Sequence, residues 1–424
     1  MTNTTPFRQF MYPQGHPRID DLKGLDAYEY REVAKTPGTF TGGLIAGWEP
    51  LYLNDFTGIT SDGQTIEGLY PLTPAEPGEE APVAEMLSAA EALFAACSVD
   101  EAEKLRYPVD AVEWQTWANP EFMQFDTGLR LEFVSEQVRQ AALSLVRASL
   151  SDEGFELTHA MMLINGFLGE VVGLENILGE FSYNFAVYGT PDLRAPWGWQ
   201  LYGHHCAVNC LVVEGRMTIS PVFHGAEPNE IDAGPHAGLR SFDDRVDAGT
   251  DLMALLSESQ RAEAVIYEQI VDPAMPEGRI HPGDERHLAG AFQDNRVIPY
   301  EGVQVGTLDA RAQEAVIDLV GTFLKILPEG PRRAKVREVT NHLDESYFSW
   351  IGGTEPGDVF YYRFQSPVIL IELDHHCGVF LDYDVPQRFH VHTLMRVPNG
   401  NDYGRAWVRQ WQRRTDGRVE SNTR

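Results

Sequence analysis

The sequence predicts an α+β fold with an antiparallel β-sheet core and a segregated helical layer. Helical periodicity is concentrated at residues 84–175, whereas alternation with period two is concentrated at residues 181–225 and 357–397. The two patterns do not alternate as regular β-α-β units, which argues against a doubly wound parallel sheet. We interpret residues 1–50 as an N-terminal extension and residues 51–424 as a single large domain.

The helical layer is predicted from composition and capping residues. Alanine and leucine dominate the first helical stretch, and both favour helices. Ser135 and Ser151 are suitable N-terminal caps for the next two. Earlier in the chain, Ser61-Asp62-Gly63 lies between two apolar runs and is typical of a β-hairpin turn. The predicted helices cover residues 86–97, 135–150, 151–172, 257–271 and 308–327.

The sheet is predicted from short alternating segments separated by turns that contain glycine or proline. Such segments in close succession favour an antiparallel meander. The predicted strands are residues 183–188, 197–205, 207–213, 217–223, 359–364, 367–373 and 389–395.

Charge and hydropathy exclude several partners. Sixty-three acidic and 33 basic residues give a net charge of −30, which repels nucleic acid and anionic membranes. No apolar run reaches the roughly 18 to 20 residues of a membrane span. The N-terminus lacks the features of a secretory signal, so we expect a cytoplasmic location. The four cysteines do not form a disulfide framework or a zinc ribbon.

The fragment Phe389-His390-Val391-His392 is the most informative for chemistry. Residues two apart on a strand point to the same side, so His390 and His392 can reach one ion. The alternative is that both histidines lie on a solvated strand face.

Glu372 lies inside an otherwise apolar strand, so its carboxylate must be paired, protonated or bound to a cation. A salt bridge with Arg363 or Arg396 is the structural alternative. His204 and His205 follow Gly203, and on a regular strand only one of them would face inward. One of this pair with Glu372, His390 and His392 would form a set suited to zinc, iron or manganese.

Other residues near these strands are candidates for binding substrate. Arg363 and Arg396 can bind a carboxylate or stabilise negative charge, or they can brace the fold. Trp197, Trp199 and Tyr202 can form an aromatic wall, or they can belong to the core.

Several mechanisms lack their usual motifs. The sequence has no phosphate loop, no dinucleotide-binding glycine motif and no serine-nucleophile elbow, so we expect no nucleotide cofactor. Asp374-His375-His376 resembles the Asp-His-His motif of a manganese phosphoesterase family, but its surroundings are antiparallel. We leave it outside the primary site.

The order of several motifs resembles the family catalogued as domain of unknown function 3500, found in bacteria and fungi. The resemblance implies that Gly203-His-His205, Glu372, His390 and His392 belong to one shared site, although it implies no activity. The motifs are Trp197-Gly-Trp199, Gly203-His-His205, Pro221-x-Phe223-x-Gly225-x-x-Pro228, Gly234-Pro235, Tyr361-Tyr-Arg363, Ile371-Glu372, His390-x-His392-x-x-x-Arg396 and Asn401-Asp-Tyr-Gly404.

Three hypotheses follow. The first is a metal-dependent enzyme acting on a small organic substrate, with hydrolysis as the reaction. The second is a non-haem iron or manganese oxidoreductase. The third is a non-catalytic binding or structural protein whose histidines and Glu372 form a buried polar network. A homodimer is the default expectation for oligomeric state.

Overall fold

The computed structural model describes residues 6–422, with side chains described up to residue 415. It confirms the α+β class, because one mixed and mostly antiparallel sheet carries helices that come from separate stretches of the chain. None of the helices in this part of the chain is long and apolar enough to cross a membrane.

Twelve strands form the sheet in the described residues, in the order β1-β3-β4-β5-β6-β12-β11-β10-β9-β7, with β2 beside β3 and β8 beside β9. The strands are β1 (Arg106–Tyr107), β2 (Leu129–Arg130), β3 (Tyr183–Tyr188), β4 (Trp197–Gly203), β5 (Cys206–Val213), β6 (Arg216–Ala226), β7 (Val265–Tyr267), β8 (Val303–Gln304), β9 (Tyr347–Gly352), β10 (Phe360–Gln365), β11 (Leu370–His375) and β12 (Val391–Arg396).

The two predicted groups of strands meet at the centre of the sheet. Strands β3 to β6 form a meander, β9 to β12 form a second antiparallel group, and β6 pairs with β12 to join them. Only the outer pairs β1–β3 and β7–β9 are parallel among the pairings described. The junction therefore brings residues from the middle and the C-terminal part of the sequence side by side.

Serine and aspartate caps start several of the helices, as expected from hydrogen bonding to free N–H groups. Ser135 and Ser151 cap α6 and α7 as predicted. The helices are α1 (Pro17–Asp20), α2 (Ala27–Ala34), α3 (Phe40–Tyr52), α4 (Val83–Ala96), α5 (Val99–Leu105), α6 (Glu136–Ser149), α7 (Asp152–Val172), α8 (Asp243–Leu255), α9 (Glu258–Ala264), α10 (Ala310–Leu324), α11 (Glu329–Asn341) and α12 (Arg405–Asn422).

Helices α6, α7 and α8 pack on one face of the sheet, and mainly irregular segments cover the other, with α3 packed against them. On the helical face, Tyr362 donates to the Arg245 carbonyl of α8, and Trp199 donates to Ser149 of α6. On the opposite face, Tyr202 donates to the carbonyl of Phe125. That face also contacts residues 268–302, a long segment between β7 and β8 that contains no helix.

Two expectations for individual elements are wrong. Residues 51–72 form no hairpin, because Leu51 and Tyr52 end α3, and Thr60 pairs with Val297 instead. The stretch 257–271 is helical only as far as Ala264 and then enters β7. The N-terminal fifty residues, which show no steady period, contain α1, α2 and most of α3. The domain boundary at residue 50 stays a prediction.

The strand predicted for residues 197–205 ends two residues early. His204 and His205 form the two-residue turn between Gly203 and Cys206, which are paired as the last residue of β4 and the first of β5. The expectation that one histidine faces inward and the other outward on a strand is therefore wrong.

Candidate metal centre

A cluster of histidines lies at one end of the sheet. Four pieces of chain meet there, namely the β4–β5 turn, the end of β6, the segment after β11 and the start of β12. The pairing of β12 with both β6 and β11 sets Gly225 and Asp374 directly opposite His392. The sheet junction therefore builds the site.

Three imidazole nitrogens converge at the centre of this cluster. His392 Nε2 lies 3.0 Å from His390 Nε2 and 3.1 Å from His205 Nε2. An ion about 2.0–2.1 Å from each nitrogen has its ligand nitrogens about 3.0–3.4 Å apart, so the observed separations fit one bound metal ion. All three side chains are buried. His205, His390 and His392 could therefore hold a metal ion.

The hydrogen bond at Nδ1 of His390 determines which of its two ring nitrogens carries the proton. Tyr383 donates to Glu227 Oε1 at 2.8 Å, so its oxygen accepts from the Nδ1–H of His390 at 3.0 Å. Nε2 of His390 then presents a lone pair to the other histidines. An outer partner of this kind is typical of metal-ligating histidines. Burial raises the pKa of Glu227 to about 7, against hydrogen bonds from Tyr383 and nearby backbone N–H groups.

His205 is placed by an uncommon backbone conformation. Its φ of 60° lies in the left-handed region, where side chains other than glycine are rare. Such conformations cluster at functional sites, where surrounding contacts maintain them. The Gly225 N–H donates to the His205 carbonyl at 2.7 Å. The turn therefore directs the ring of His205 toward His392.

His204 supports its neighbour without joining the three nitrogens. Its ring stacks on His205 with a centroid distance of 3.8 Å. Its Nδ1 donates to Asn165 Oδ1 at 2.7 Å, because the amide nitrogen of Asn165 is committed to the Gly179 carbonyl. Burial lowers the pKa of His204 to about 3.

Glu372 lies beside the cluster and pairs with His287, not with Arg363 or Arg396. Its Oε2 accepts from His287 Nδ1 at 3.3 Å, and its Oε1 accepts from the Tyr361 hydroxyl at 2.6 Å. Burial raises the pKa of Glu372, but His287, the N–H of Leu288 and the Tyr361 hydroxyl together lower it to about 2. Among the residues described, Glu372 belongs to none of the groups whose ligand atoms lie close enough together to hold one metal ion.

Two more potential ligand groups extend the cluster. One nitrogen from each of His287, His376 and His392 lies within 4.8 Å of the others, and His376 forms a further group with Glu285 and Asp374. The rings of His376 and His392 are 3.7 Å apart between centroids. The cluster is therefore larger than one three-histidine set.

The histidine pKa values favour the neutral rings that metals bind. Burial lowers the pKa of His205, His390 and His392 well below the ordinary value, and neighbouring histidines add to the effect. Burial also lowers the pKa of His287, but the hydrogen bond and charge of Glu372 outweigh it and leave that pKa raised.

The two predicted arginines are paired in different places. Arg363 donates to Glu301 Oε2 at 2.8 Å, and its Nη1 has no hydrogen-bond partner in the described chain. Arg396 lies 2.8 Å from Asp294 and 3.2 Å from Asp402, four residues along β12 from His392. The charge of Arg396 is balanced by these carboxylates, which supports a bracing role.

The two tryptophans predicted to bind substrate are not brought to the histidines. Strand register places Trp199, and with it Trp197, on the same face as Thr393 and so on the opposite face from His392. Tyr202 shares the face of His392, but its hydroxyl bonds to Phe125 and Thr127.

Sequence reasoning missed His287, Glu227 and Tyr383, and it set His376 aside. His287 comes from the irregular segment 268–302, where no periodicity marks a ligand. Glu227 was present within the motif that ends at Pro228 but was not singled out. The sequence signal for His376 is the Asp374-His375-His376 motif at the end of an apolar strand. In the structure, Asp374 is buried and forms an ion pair with Arg286 at 2.6 Å.

Fold and site together define an α+β protein with a buried cluster of histidines and carboxylates that could hold a metal ion. The chain belongs to the family described as Protein of unknown function (DUF3500), whose model matches residues 79–405. This match confirms the resemblance seen in the sequence motifs. No curated protein and no solved structure matches the chain. Because the family description names no activity, function is argued from the site.

Proposed function

We propose that this protein is a metal-dependent enzyme that hydrolyses a small organic substrate at the centre formed by His205, His390 and His392. The proposal is carried by three buried histidines, in which His392 Nε2 lies 3.0 Å from His390 Nε2 and 3.1 Å from His205 Nε2, and one ligand atom of each lies within 4.8 Å of the others. A divalent ion on three neutral imidazoles lowers the pKa of a bound water to about 7 and polarises a carbonyl group.

Hydrogen bonds and ring stacking around the three histidines fix the orientation of their side chains. The Tyr383–Glu227 pair keeps the proton of His390 on Nδ1, and His204 stacks on His205. Ligands fixed before binding reduce the reorganisation that metal binding requires. The arrangement therefore supports a preformed centre, not a loose group of polar side chains.

Two arginines beside the cluster support an acidic substrate. The Arg279 guanidinium lies over the Tyr361 ring at 5.4 Å, and Arg363 follows two residues along the same face of β10. Both arginines are buried, and Arg279 Nε and Nη2 and Arg363 Nη1 have no hydrogen-bond partner within the described residues. Buried guanidinium groups with unpaired N–H donors are suited to binding a carboxylate of the substrate.

Burial also bears on substrate size. None of the histidine side chains of the cluster is more than 4% exposed. A substrate that reaches them must be small, or the covering segments must move. We therefore propose esters or amides of small carboxylic acids.

The test is metal analysis together with hydrolysis by untagged protein. The proteins compared are wild type, the double variant His390→Ala, His392→Ala, and the control His224→Ala. His224 is also fully buried in the same sheet, but it faces the helices and contacts Thr158. We expect at least one ion per chain in wild type and control and close to none in the double variant.

Hydrolysis is then measured on a panel of small esters and amides with and without a free carboxylate. We expect metal-dependent turnover with a preference for the acidic members. Iron or manganese with oxygen consumption and no hydrolysis would establish an oxidoreductase instead. Wild-type protein that binds no ion after reconstitution would leave a non-catalytic polar network as the explanation of the cluster.

A further inference from the structure

Three buried nitrogens near the proposed centre have no hydrogen-bond partner in the part of the chain that is described. They are His287 Nε2, His376 Nε2 and His392 Nδ1. Leaving a buried polar atom without a partner is unfavourable, so three such atoms within one cluster favour a ligand bound between them. One nitrogen from each of these three residues lies within 4.8 Å of the others.

The Nδ1 atom of His392 has no hydrogen-bond partner among the described residues, unlike that of three neighbouring histidines. His390 Nδ1 contacts Tyr383, His287 Nδ1 contacts Glu372 and His204 Nδ1 contacts Asn165. His392 Nε2 lies among the nitrogens of the first centre, which leaves Nδ1 on the other side of the ring. In a centre with one ion, this Nδ1–H would be a buried donor without an acceptor.

We propose that the cluster binds two metal ions, and that the second ion is held by His287 Nε2, His376 Nε2 and His392 Nδ1. His392 then bridges the two ions through its two nitrogens. The proposal extends the site under Proposed function and shares His392 with it. Two ions would hold a substrate between them and stabilise charge on both sides of the bond that breaks.

The surroundings of the second position favour a divalent cation. Asp374 Oδ2 lies 3.2 Å from His376 Nε2, close enough for an ion pair but without the alignment of a hydrogen bond. Asp284 is buried, interacts electrostatically with His287 and His376, and has an Oδ2 without a hydrogen-bond partner among the described residues. Glu372 orients His287 from its Nδ1 side, as carboxylates do for metal-ligating histidines. Mixed nitrogen and carboxylate ligands suit zinc, iron or manganese.

Binding one ion requires the three rings to approach one another. One nitrogen from each of His287, His376 and His392 lies within 4.8 Å of the others, whereas the ligand nitrogens of a tetrahedral ion are about 3.0–3.4 Å apart. The nitrogens must therefore move closer together by up to about 1.8 Å. With both nitrogens bound to ions, His392 carries no ring proton, and that proton is released to solvent on binding.

The experiment counts ions per chain in untagged full-length protein, stripped with a chelator and reconstituted with zinc or with manganese. The variants are His205→Ala for the first position, His287→Gln and His376→Gln for the second, and His224→Gln as a buried control. Circular dichroism checks that each variant is folded. We expect two ions in wild type and in the control, and one in each of the other three variants.

Three results would overturn the proposal in distinguishable ways. If wild type binds one ion, and this ion is lost in His205→Ala but kept in His287→Gln, only the first centre exists. One ion that all three ligand variants remove would mean a single site shared by both sets. No ion in wild type would reject both this proposal and the proposed function.

Discussion

The geometry of single residues determines whether the histidines can converge. Gly225 lies opposite His392 on the neighbouring strand. A Cβ atom added at this glycine would approach His392 Cδ2 to 2.8 Å and His205 Cδ2 to 2.9 Å. The site therefore depends on the absence of a side chain at this position as much as on the ligands themselves.

We predict that Gly225→Ala disrupts the three-nitrogen centre. The added methyl group displaces two of the three rings, so the metal content falls by more than half and stability falls by about 1–3 kcal/mol, as in other overpacked sites. Gly321→Ala is the matched control, because no atom lies within 4 Å of the added Cβ in α10. That substitution leaves metal content unchanged and stabilises the helix by about 0.5–1 kcal/mol. Full metal occupancy in Gly225→Ala would contradict the prediction.

At the scale of elements, the segment 268–302 completes the site without regular structure of its own. Glu372 on β11 accepts hydrogen bonds from the N–H groups of Leu288 and Ala289 at 2.8 and 3.1 Å. Long irregular segments in compact proteins are commonly functional. Here a buried carboxylate on a strand anchors one of them over the histidines.

This anchor is predicted to weaken in acid. The pKa of Glu372 is lowered to about 2 from an ordinary value of 4.5, so its contribution is present above pH 4.5 and is lost as the pH falls toward 2. Protection of the Leu288 and Ala289 amides, corrected for intrinsic exchange, should fall by about tenfold to thirtyfold between pH 5 and pH 3.

Hydrogen exchange measured by NMR provides the comparison. The strand amides of β3, which bond to β4 without a titrating side chain, should keep their protection across the same range. In Glu372→Gln, the two loop amides should be less protected and nearly independent of pH. A flat profile in wild type would show that Glu372 does not hold the segment.

Much of the sheet and two of the three central histidines could be placed from sequence, and the reasons are local. Alternation and apolar context predict strands, so His390 and His392 could be placed on the same side of one. Gly203-His-His-Cys206 carries no Asn-Gly or Asp-Gly signal, so the turn was not predicted. The partner of Glu372 could not be predicted, because His287 lies 85 positions away in a segment without periodicity.

For the whole molecule, the site is enclosed partly by the N-terminal segment. Phe7 contacts Phe167 and Phe389 with centroid distances of 6.1 and 6.4 Å, and Phe10 contacts Tyr383 at 5.2 Å. Phe389 and Tyr383 directly support His390. Residues 6–10 belong to the segment that the sequence predicts to be an N-terminal extension. They cover the part of the chain that lies beside the proposed ligands.

We predict that Phe7→Ala loosens this cover. Phe7 is fully buried, and truncation of a buried phenylalanine costs about 3–5 kcal/mol, so residues 6–10 should detach locally. Metal release to a chelator should become faster, and proteolysis should begin in this segment. Phe40→Ala removes a phenylalanine that is 58% exposed and serves as the control, with stability within about 0.5 kcal/mol of wild type. Equal release rates in both variants would rule out a covering role.

The order of the proposed ligands along the chain bears on biosynthesis. His205 and His392 are separated by 187 positions, and His390 lies beside the latter. At about 5–20 residues per second, the ribosome needs roughly 10 to 40 s to pass from one to the other. A nascent chain can form the turn that carries His205 in that interval, but it lacks the other two nitrogens. A metal ion held by all three histidines would therefore bind only after translation of the β12 strand, and it could not guide folding of the earlier meander.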